Sequence, residues 1–235
     1  MGDFMKQISL ILNLPFSYGP CAFLGKMLAI CFLSCATIVK ADDRIDILMI
    51  GDSLTQGYGL IEQEGLVPQL RGFLSTNAHD VRLINAGVSG DTTAGGLERV
   101  AWSLEPGLEG AVVALGGNDM LRGIAPNVVR QNLVGILDEL KGANLQIMVI
   151  GTYAPTNYGP EYKKEFDQIF PELAQNYDAI YVPSFFEPFI TEGQLDQTAS
   201  KFFQPDGLHP NAEGVKIVVE SIGPSFLELV SRINE

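Results

Sequence analysis

From residue 45 onward, short continuous apolar runs alternate with longer segments in which apolar residues recur at helical spacing. The apolar runs predict five strands: Ile45–Ile50, Val81–Asn85, Ala111–Leu115, Leu145–Ile150 and Ala179–Val182. Runs of this continuous kind are typical of strands buried on both faces of a parallel sheet. The helical spacing predicts four helices: Gly65–Thr76, Asn127–Lys141, Tyr162–Asn176 and Ala212–Ile233. Pro171 and Pro224 are expected to break or kink the last two.

This alternation of strands and helices predicts an α/β fold, a three-layer α/β/α sandwich around a five-stranded parallel sheet. Residues 42–235 match the size of one domain, and they contain no internal repeat, low-complexity tract or linker. The stretch from Pro183 to Gly207 has no clear periodicity. Connections of that length are uncommon in a compact domain unless they are functional, so a site is expected there.

The first forty residues do not follow this pattern. Met27–Val39 is an apolar run between Lys26 and the small residue Ala41, as in a secretory signal peptide. We therefore expect residues 1–41 to be a cleaved leader and the mature protein to be periplasmic or secreted, without stable membrane insertion. The run is shorter than the roughly 20 apolar residues that span a bilayer. An uncleaved anchor and lipid attachment at Cys35 remain alternatives.

The composition narrows the classes of function. The chain has a formal net charge of −13 and no basic cluster, which argues against nucleic acid and anionic membranes as partners. All three cysteines precede residue 42, and the two histidines are His79 and His209. A zinc site with nitrogen and sulfur ligands is therefore not expected. We predict a monomer that acts on a small substrate, with no metal and no organic cofactor.

Polar and glycine-rich segments follow the predicted strands where each strand ends. They are Gly51-Asp52-Ser53-Leu54, Ser89-Gly90-Asp91-Thr92, Gly116-Gly117-Asn118-Asp119 and, after the long connection, Asp206-Gly207-Leu208-His209-Pro210. Ligands of open parallel sheets bind at the carboxyl ends of the strands. We therefore expect a hydroxyl, a glycine turn, a carboxamide and an aspartate–histidine pair to meet at one edge of the sheet.

This set of groups fits acyl transfer by an activated serine. The Ser53 hydroxyl becomes a nucleophile when neutral His209 accepts its proton, and Asp206 can fix the tautomer of that imidazole. His209 also precedes the last predicted helix, whose N-terminus favours the neutral imidazole. The N–H groups of Ser53 and Gly90 and the carboxamide of Asn118 can stabilise the oxyanion.

In this order, the four segments resemble the four blocks of the SGNH (GDSL) hydrolase family. They are most similar to the bacterial thioesterase I, lysophospholipase L1 and arylesterase group, with which the chain shares residues 90–92 (GDT), 117–123 (GNDMLRG) and 154–159 (APTNYG). The resemblance implies a flavodoxin-like fold, Ser53, Asp206 and His209 as catalytic residues, and an oxyanion hole of Ser53, Gly90 and Asn118.

The same resemblance implies an exported serine esterase that hydrolyses aryl esters, fatty acyl thioesters or lysophospholipids through an acyl-enzyme intermediate. Removal of acetyl groups from glycans, an activity of some relatives, is an alternative. An alternative of another class is a binding module that has lost catalysis, against which the intact serine, aspartate and histidine argue.

The segment after the fourth strand is expected to border the acyl group of the substrate. The residues assigned to substrate binding are Asp52, Gly117, Tyr153, Pro155, Asn157 and Tyr158. Further aromatic residues either extend an apolar groove or belong to the core, namely Tyr162, Phe185, Phe186 and Phe189.

Several other features are interpreted as structural. Asp52 and Asp119 are expected to be hydrogen-bond acceptors within the protein rather than catalytic acids, and His79 is expected in a solvated loop. Trp102 is expected in the core or in a groove wall. Gly57-Tyr58-Gly59 begins like a dinucleotide fingerprint but lacks its last glycine, and no G-x-S-x-G elbow surrounds Ser53.

Overall fold

Five parallel strands form the central sheet of the computed structural model, which describes residues 44–77, 79–191 and 194–235. The strands are β1 (Ile45–Gly51), β2 (Val81–Gly87), β3 (Gly110–Ala114), β4 (Gln146–Ile150) and β5 (Ile180–Val182). Their order across the sheet is β2-β1-β3-β4-β5, the flavodoxin-like order. All five predicted strands are confirmed, with ends shifted by one or two residues. The predicted leader lies outside the described residues, so its cleavage stays a prediction.

The helices cover both faces of this sheet, as predicted for a three-layer fold. They are α1 (Ser53–Gln56), α2 (Leu66–Thr76), α3 (Thr93–Ser103), α4 (Gly117–Leu121), α5 (Pro126–Gly142), α6 (Pro160–Asp167), α7 (Ile169–Asn176) and α8 (Ala212–Ile233). α2 and α8 pack on one face, whereas α3, α5, α6 and α7 pack on the other. A short hairpin of β6 (Ile190–Thr191) and β7 (Gln194–Leu195) lies in the long connection before α8. No helix in the described part of the chain is long and apolar enough to cross a membrane.

The central strand β1 supplies both hydrophobic cores. Ile47 and Met49 pack into the core under α2 and α8, whereas Leu48 and Ile50 pack into the core on the opposite face. Successive side chains of a strand point to opposite faces, so the part of a strand that is buried on both sides, here Ile47–Ile50, is apolar at each position. This explains why the apolar runs located the strands well.

The two prolines have different consequences. α6 ends at Asp167 and α7 begins at Ile169, because Pro171 has no N–H for the Asp167 carbonyl and its ring crowds that oxygen. α8 runs through Pro224, so the break expected there is wrong, whereas the alternative of a kink stays a prediction. Buried Ile222 and Phe226 anchor the helix on both sides of Pro224, and this packing outweighs one lost hydrogen bond.

Helix α3 was not predicted, because Gly95 and Gly96 lower the helix propensity of its first turn. The Thr92 hydroxyl caps this helix by accepting a hydrogen bond from the Gly95 N–H. The prediction that Trp102 is a core or groove-wall residue is wrong, since 91% of it is exposed. Val100 lies on the buried face of α3, and a residue two positions further points away from that face.

Candidate active site

Ser53 lies where β1 turns into α1, at the carboxyl edge of the sheet. It is 9% exposed and is the first residue of α1, while Asp52 caps the helix by accepting a hydrogen bond from Leu54 N–H at 3.0 Å. β1 lies between β2 and β3, which is the point where the strand order reverses. Gly87, at the end of β2, lets α1 pack directly against this strand, because a Cβ at Gly87 would collide with the backbone of Gln56 in α1.

A continuous chain of contacts joins Ser53 to His209 and Asp206. The Ser53 Oγ lies 2.8 Å from His209 Nε2, and His209 Nδ1 lies 2.7 Å from Asp206 Oδ2. Asp206 Oδ1 accepts hydrogen bonds from the N–H groups of Leu208 and His209. The Leu208 N–H, followed by the His209 ring, lowers the pKa of Asp206 to about 2, so the carboxylate stays charged in the neutral range. The structure thus brings together the three side chains that the sequence grouped.

The turn before α8 sets the position of His209. Asn211 caps α8 by accepting hydrogen bonds from the N–H groups of Glu213 and Gly214. The Asn211 Nδ2 also donates to the Lys201 carbonyl at 2.7 Å, which ties the cap to the preceding segment. His209 therefore lies two residues before this fixed helix cap.

Gly90 lies in the turn between β2 and α3. Its φ of +78° is a left-handed conformation that glycine adopts without strain. Its carbonyl accepts a hydrogen bond of 2.8 Å from Arg122. Neither the Gly90 nor the Ser53 N–H donates to another residue among those that the structure describes, so both are free to bind a substrate oxygen.

Arg99 on α3 holds the Gly90 turn against the Ser53 turn. Its guanidinium donates to the Asp91 carboxylate at 2.7 Å, to the Ala86 carbonyl at 2.7 Å and to the Gly51 carbonyl at 3.0 Å. It therefore joins the ends of β1 and β2. The sequence interpretation missed this residue, because nothing local to α3 indicates which strand ends its side chain reaches.

Asn118, in α4 after β3, points its carboxamide toward Asp52. The Asn118 Nδ2 donates to Asp52 Oδ2 at 3.2 Å. Asp52 is 6% exposed, and burial raises its pKa to about 6. The predicted structural role of Asp52 is confirmed. Its assignment to substrate binding stays a prediction, as does that of Gly117 beside it; in the structure the Asp52 carboxylate is buried and accepts hydrogen bonds from Leu54 and Asn118.

Asp119 has the structural role predicted for it. It is fully buried, and its two carboxylate oxygens accept hydrogen bonds from the N–H and the hydroxyl of Thr93. The Thr93 hydroxyl also accepts a bond from Asn132 on α5. This network fixes α4, and with it Asn118, against the start of α3.

The segment after β4 provides exposed aromatic rings. Tyr153 and Tyr158 are 39% and 42% exposed, and Pro155 and Asn157 between them are also exposed. The Tyr153 hydroxyl donates to Glu187, and the Tyr158 hydroxyl donates to the Leu121 carbonyl. These contacts hold both rings at the surface while leaving part of each exposed.

A narrow apolar crevice opens beside Ser53 and His209. Its lining includes Leu54, Leu60, Leu66, Phe185 and Val215. Its free volume of about 20 Å³ is close to that of one water molecule. Phe185 and Phe189 are buried in the core under α2 and α8, so for these residues the core interpretation is confirmed, with Phe185 at the edge of the crevice.

No group of three His, Cys, Asp or Glu side chains suited to a metal ion occurs in the part of the chain that the structure describes. His79, the other histidine, lies in the loop between α2 and β2 as predicted, where it is partly buried. Its backbone N–H donates to the Leu74 carbonyl.

Several known proteins are similar to this chain in sequence and in fold. Residues 49–217 match the GDSL-like lipase/acylhydrolase family. Esterase TesA of Pseudomonas aeruginosa is 33% identical over 78% of this chain and 89% of its own length. The thioesterase 1/protease 1/lysophospholipase L1 of Escherichia coli K12 is 31% identical over 79% of this chain and 85% of its own length. The crystal structure of AlinE4, an SGNH-hydrolase family esterase, has a TM-score of 0.65 at 43% identity and covers 79% of this chain and 96% of that chain.

The fold, the placement of the site and these similarities agree on one class of protein, the ester hydrolases. The chain belongs to the GDSL-like lipase/acylhydrolase family. The family resemblance and the enzyme class predicted from the four sequence blocks are therefore confirmed, and the alternative of a binding module without catalysis is not supported.

Proposed function

We propose that this protein is a serine esterase that cleaves acyl esters and thioesters through a covalent acyl-enzyme on Ser53. The observation that carries the proposal is the unbroken contact of Ser53 Oγ with His209 Nε2 at 2.8 Å and of His209 Nδ1 with Asp206 at 2.7 Å. A hydroxyl in contact with a base, itself oriented by a carboxylate, is the arrangement that activates a serine nucleophile.

In the proposed reaction, the Ser53 oxygen attacks the carbonyl carbon of the ester while its proton passes to His209 Nε2. Asp206 accepts the hydrogen bond from Nδ1 and stabilises the imidazolium that forms. The intermediate collapses, the bond to the leaving group breaks, and His209 gives its proton to the departing alcohol or thiol. Water then enters, and its oxygen attacks the acyl carbon while one of its protons passes to His209. The second intermediate collapses, the bond from the acyl carbon to Ser53 Oγ breaks, and His209 returns the proton to Ser53 as the carboxylic acid leaves.

We assign three hydrogen-bond donors to the negatively charged oxygen of the tetrahedral intermediate. They are the N–H groups of Ser53 and Gly90 and the second N–H of the Asn118 amide, whose first N–H is bonded to Asp52. Donors held in place before reaction stabilise developing charge without reorganisation. Arg99 and Arg122 hold the Gly90 turn, and Asp52 orients Asn118, so each acts as a positioning residue.

We further propose that the substrates are single-chain acyl esters, with aryl esters, fatty acyl thioesters and lysophospholipids as the candidate classes. The exposed rings of Tyr153 and Tyr158 offer an apolar surface to an acyl chain, and the crevice at His209 is apolar as well. The relatives named esterase and thioesterase 1/lysophospholipase L1 support these classes.

A panel of p-nitrophenyl esters from acetyl to palmitoyl, together with acyl-CoA thioesters and acetylated sugars, tests this proposal. We expect hydrolysis of the aryl esters and of at least one acyl chain longer than acetyl. Strict preference for acetyl groups on sugars would reject it in favour of glycan deacetylation.

Asp52→Asn is expected to lower kcat about tenfold at pH 7.5 with little change in KM. The carboxylate holds the Asn118 donor, and full loss of one oxyanion donor costs about 10²–10³ in kcat. The measurement is steady-state hydrolysis of p-nitrophenyl butyrate by the parent and the variant. A kcat equal to that of the parent would contradict this role of Asp52.

The same substitution has a predictable effect on stability. Burial raises the pKa of Asp52 to about 6 from the ordinary value of 3.8, so the folded state binds this proton more tightly than the unfolded state between those values. Raising the pH through this window should therefore destabilise the parent relative to Asp52→Asn. Guanidinium unfolding at pH 4.5 and pH 7.5 measures the difference, and a pH-independent difference would argue against a buried ionised Asp52.

We propose that the enzyme is exported and that it acts in the periplasm or outside the cell. The support is the sequence pattern of residues 26–41, a basic flank, an apolar run and a small residue at the predicted cleavage point. N-terminal sequencing of the protein recovered from the periplasm or the medium tests this. An N-terminus near residue 42 is expected, whereas recovery of uncleaved protein from membranes would support the anchor.

A further inference from the structure

The side chain of Gln204 joins the segment that carries Ser53 to the segment that carries His209. Its Nε2 donates to the Tyr58 carbonyl at 2.8 Å and to the Pro210 carbonyl at 3.1 Å. Tyr58 in turn donates its N–H to the Ser53 carbonyl at 3.0 Å. One amide nitrogen thus joins two segments that are 146 residues apart in the sequence at the Tyr58 contact.

The backbone of Gln204 also closes the turn that contains Asp206 and His209. The Gln204 N–H donates to the His209 carbonyl at 2.7 Å, and the Gln204 carbonyl accepts from the Gly207 N–H at 2.9 Å. Residues 205–208 are exposed, so apolar burial contributes little to fixing this turn. Hydrogen bonds therefore contribute strongly to its position relative to Ser53, together with buried Pro210 at its end.

Gly59 makes room for this side chain. A Cβ at Gly59 would collide with the Gln204 carboxamide, and the φ of +76° at Gly59 also favours glycine. The ring of Tyr58, next to Gly59, lies 4.7 Å from the His209 ring, measured between centroids. In the sequence, the Gly57-Tyr58-Gly59 segment resembles an incomplete dinucleotide fingerprint. In the structure, it is the segment to which Gln204 donates its hydrogen bond.

We propose that Gln204 is a positioning residue that holds His209 Nε2 within hydrogen-bond distance of Ser53 Oγ. This inference rests on the proposed function, in which that contact transfers the proton. Misplacement of reacting groups by about 1 Å can cost about 10²-fold in rate. The effect of losing these hydrogen bonds should fall on the chemical step, because Gln204 contacts the segments that carry Ser53 and His209 rather than the exposed rings of Tyr153 and Tyr158.

Gln204→Met, which keeps the length of the side chain and removes both donors, tests the proposal. We expect kcat for p-nitrophenyl butyrate to fall about 30- to 100-fold, with KM within about twofold of the parent. The rate at which a small p-nitrophenyl phosphonate modifies Ser53 should fall by a similar factor, since it needs the same base. Gln168→Met, at an exposed glutamine between α6 and α7, is the matched control and should behave as the parent.

Gly59→Ala is an independent variant, since it should displace the Gln204 carboxamide without changing Gln204. Both variants should broaden the downfield N–H proton resonance expected from the 2.7 Å contact of His209 Nδ1 with Asp206, because a looser turn exposes it to water. A folded Gln204→Met protein with kcat within about threefold of the parent would overturn the proposal, and so would a rise in KM at constant kcat. If Ser53→Ala also kept its activity, the proposed function itself would fail.

Discussion

Ser53→Ala is expected to lower kcat for p-nitrophenyl esters by about 10⁵-fold or more, to a rate close to the background of the assay. Removing the hydroxyl removes the oxygen that lies 2.8 Å from His209 Nε2 and that is proposed to form the acyl-enzyme. The proposed oxyanion donors remain, so a small residual rate above that of water is expected.

The change should affect catalysis without affecting the fold, since Ser53 is a small residue at the first position of α1. Ser75→Ala, at an exposed serine on α2, is the matched control and should keep the parent rate. The two variants should unfold at similar temperatures. Turnover by Ser53→Ala at the parent rate would rule out Ser53 as the nucleophile.

His209→Ala is expected to reduce kcat to a similar extent, about 10⁵-fold, because without the base the hydroxyl keeps its proton. The double variant Ser53→Ala/His209→Ala should be no slower than either single variant, since the two side chains act as one unit. The measurement is a double-mutant cycle on kcat for one ester.

His79→Ala is the control that the composition of the chain provides, because His79 is the other histidine. It lies in the loop between α2 and β2, and its contact to Leu74 is made by the backbone, which the substitution keeps. We expect this variant to retain the parent kcat.

Full additivity of the effects of Ser53→Ala and His209→Ala on kcat would contradict a shared proton transfer.

The sheet and the ends of its strands could be predicted from the sequence because both faces of the sheet are buried. The buried centre of β1, from Ile47 to Ile50, is therefore continuously apolar, and the run ends where Gly51 and Asp52 begin the turn that carries Ser53. The Asp206–His209 pair was also predictable, because the partners are three positions apart in one turn and the contact is local.

The features that were missed depend on contacts between distant parts of the chain. The buried face of α3 is built around Gly96 and Val100, and a glycine pair does not indicate a helix until its packing is known. Arg99 reaches strand ends far from it in sequence, and Gln204 reaches Tyr58. Residue spacing carries no signal for such contacts.

The most direct test of the central claim is to identify the residue whose oxygen acts as the nucleophile. We would treat the protein with a p-nitrophenyl alkylphosphonate, in which a serine oxygen displaces p-nitrophenolate at phosphorus, and locate the adduct by mass spectrometry of peptides. The predicted result is one phosphonyl group per chain, on Ser53, with activity lost in proportion and no labelling of Ser53→Ala. Complete inactivation with the adduct on another residue, or undiminished labelling of Ser53→Ala, would contradict it.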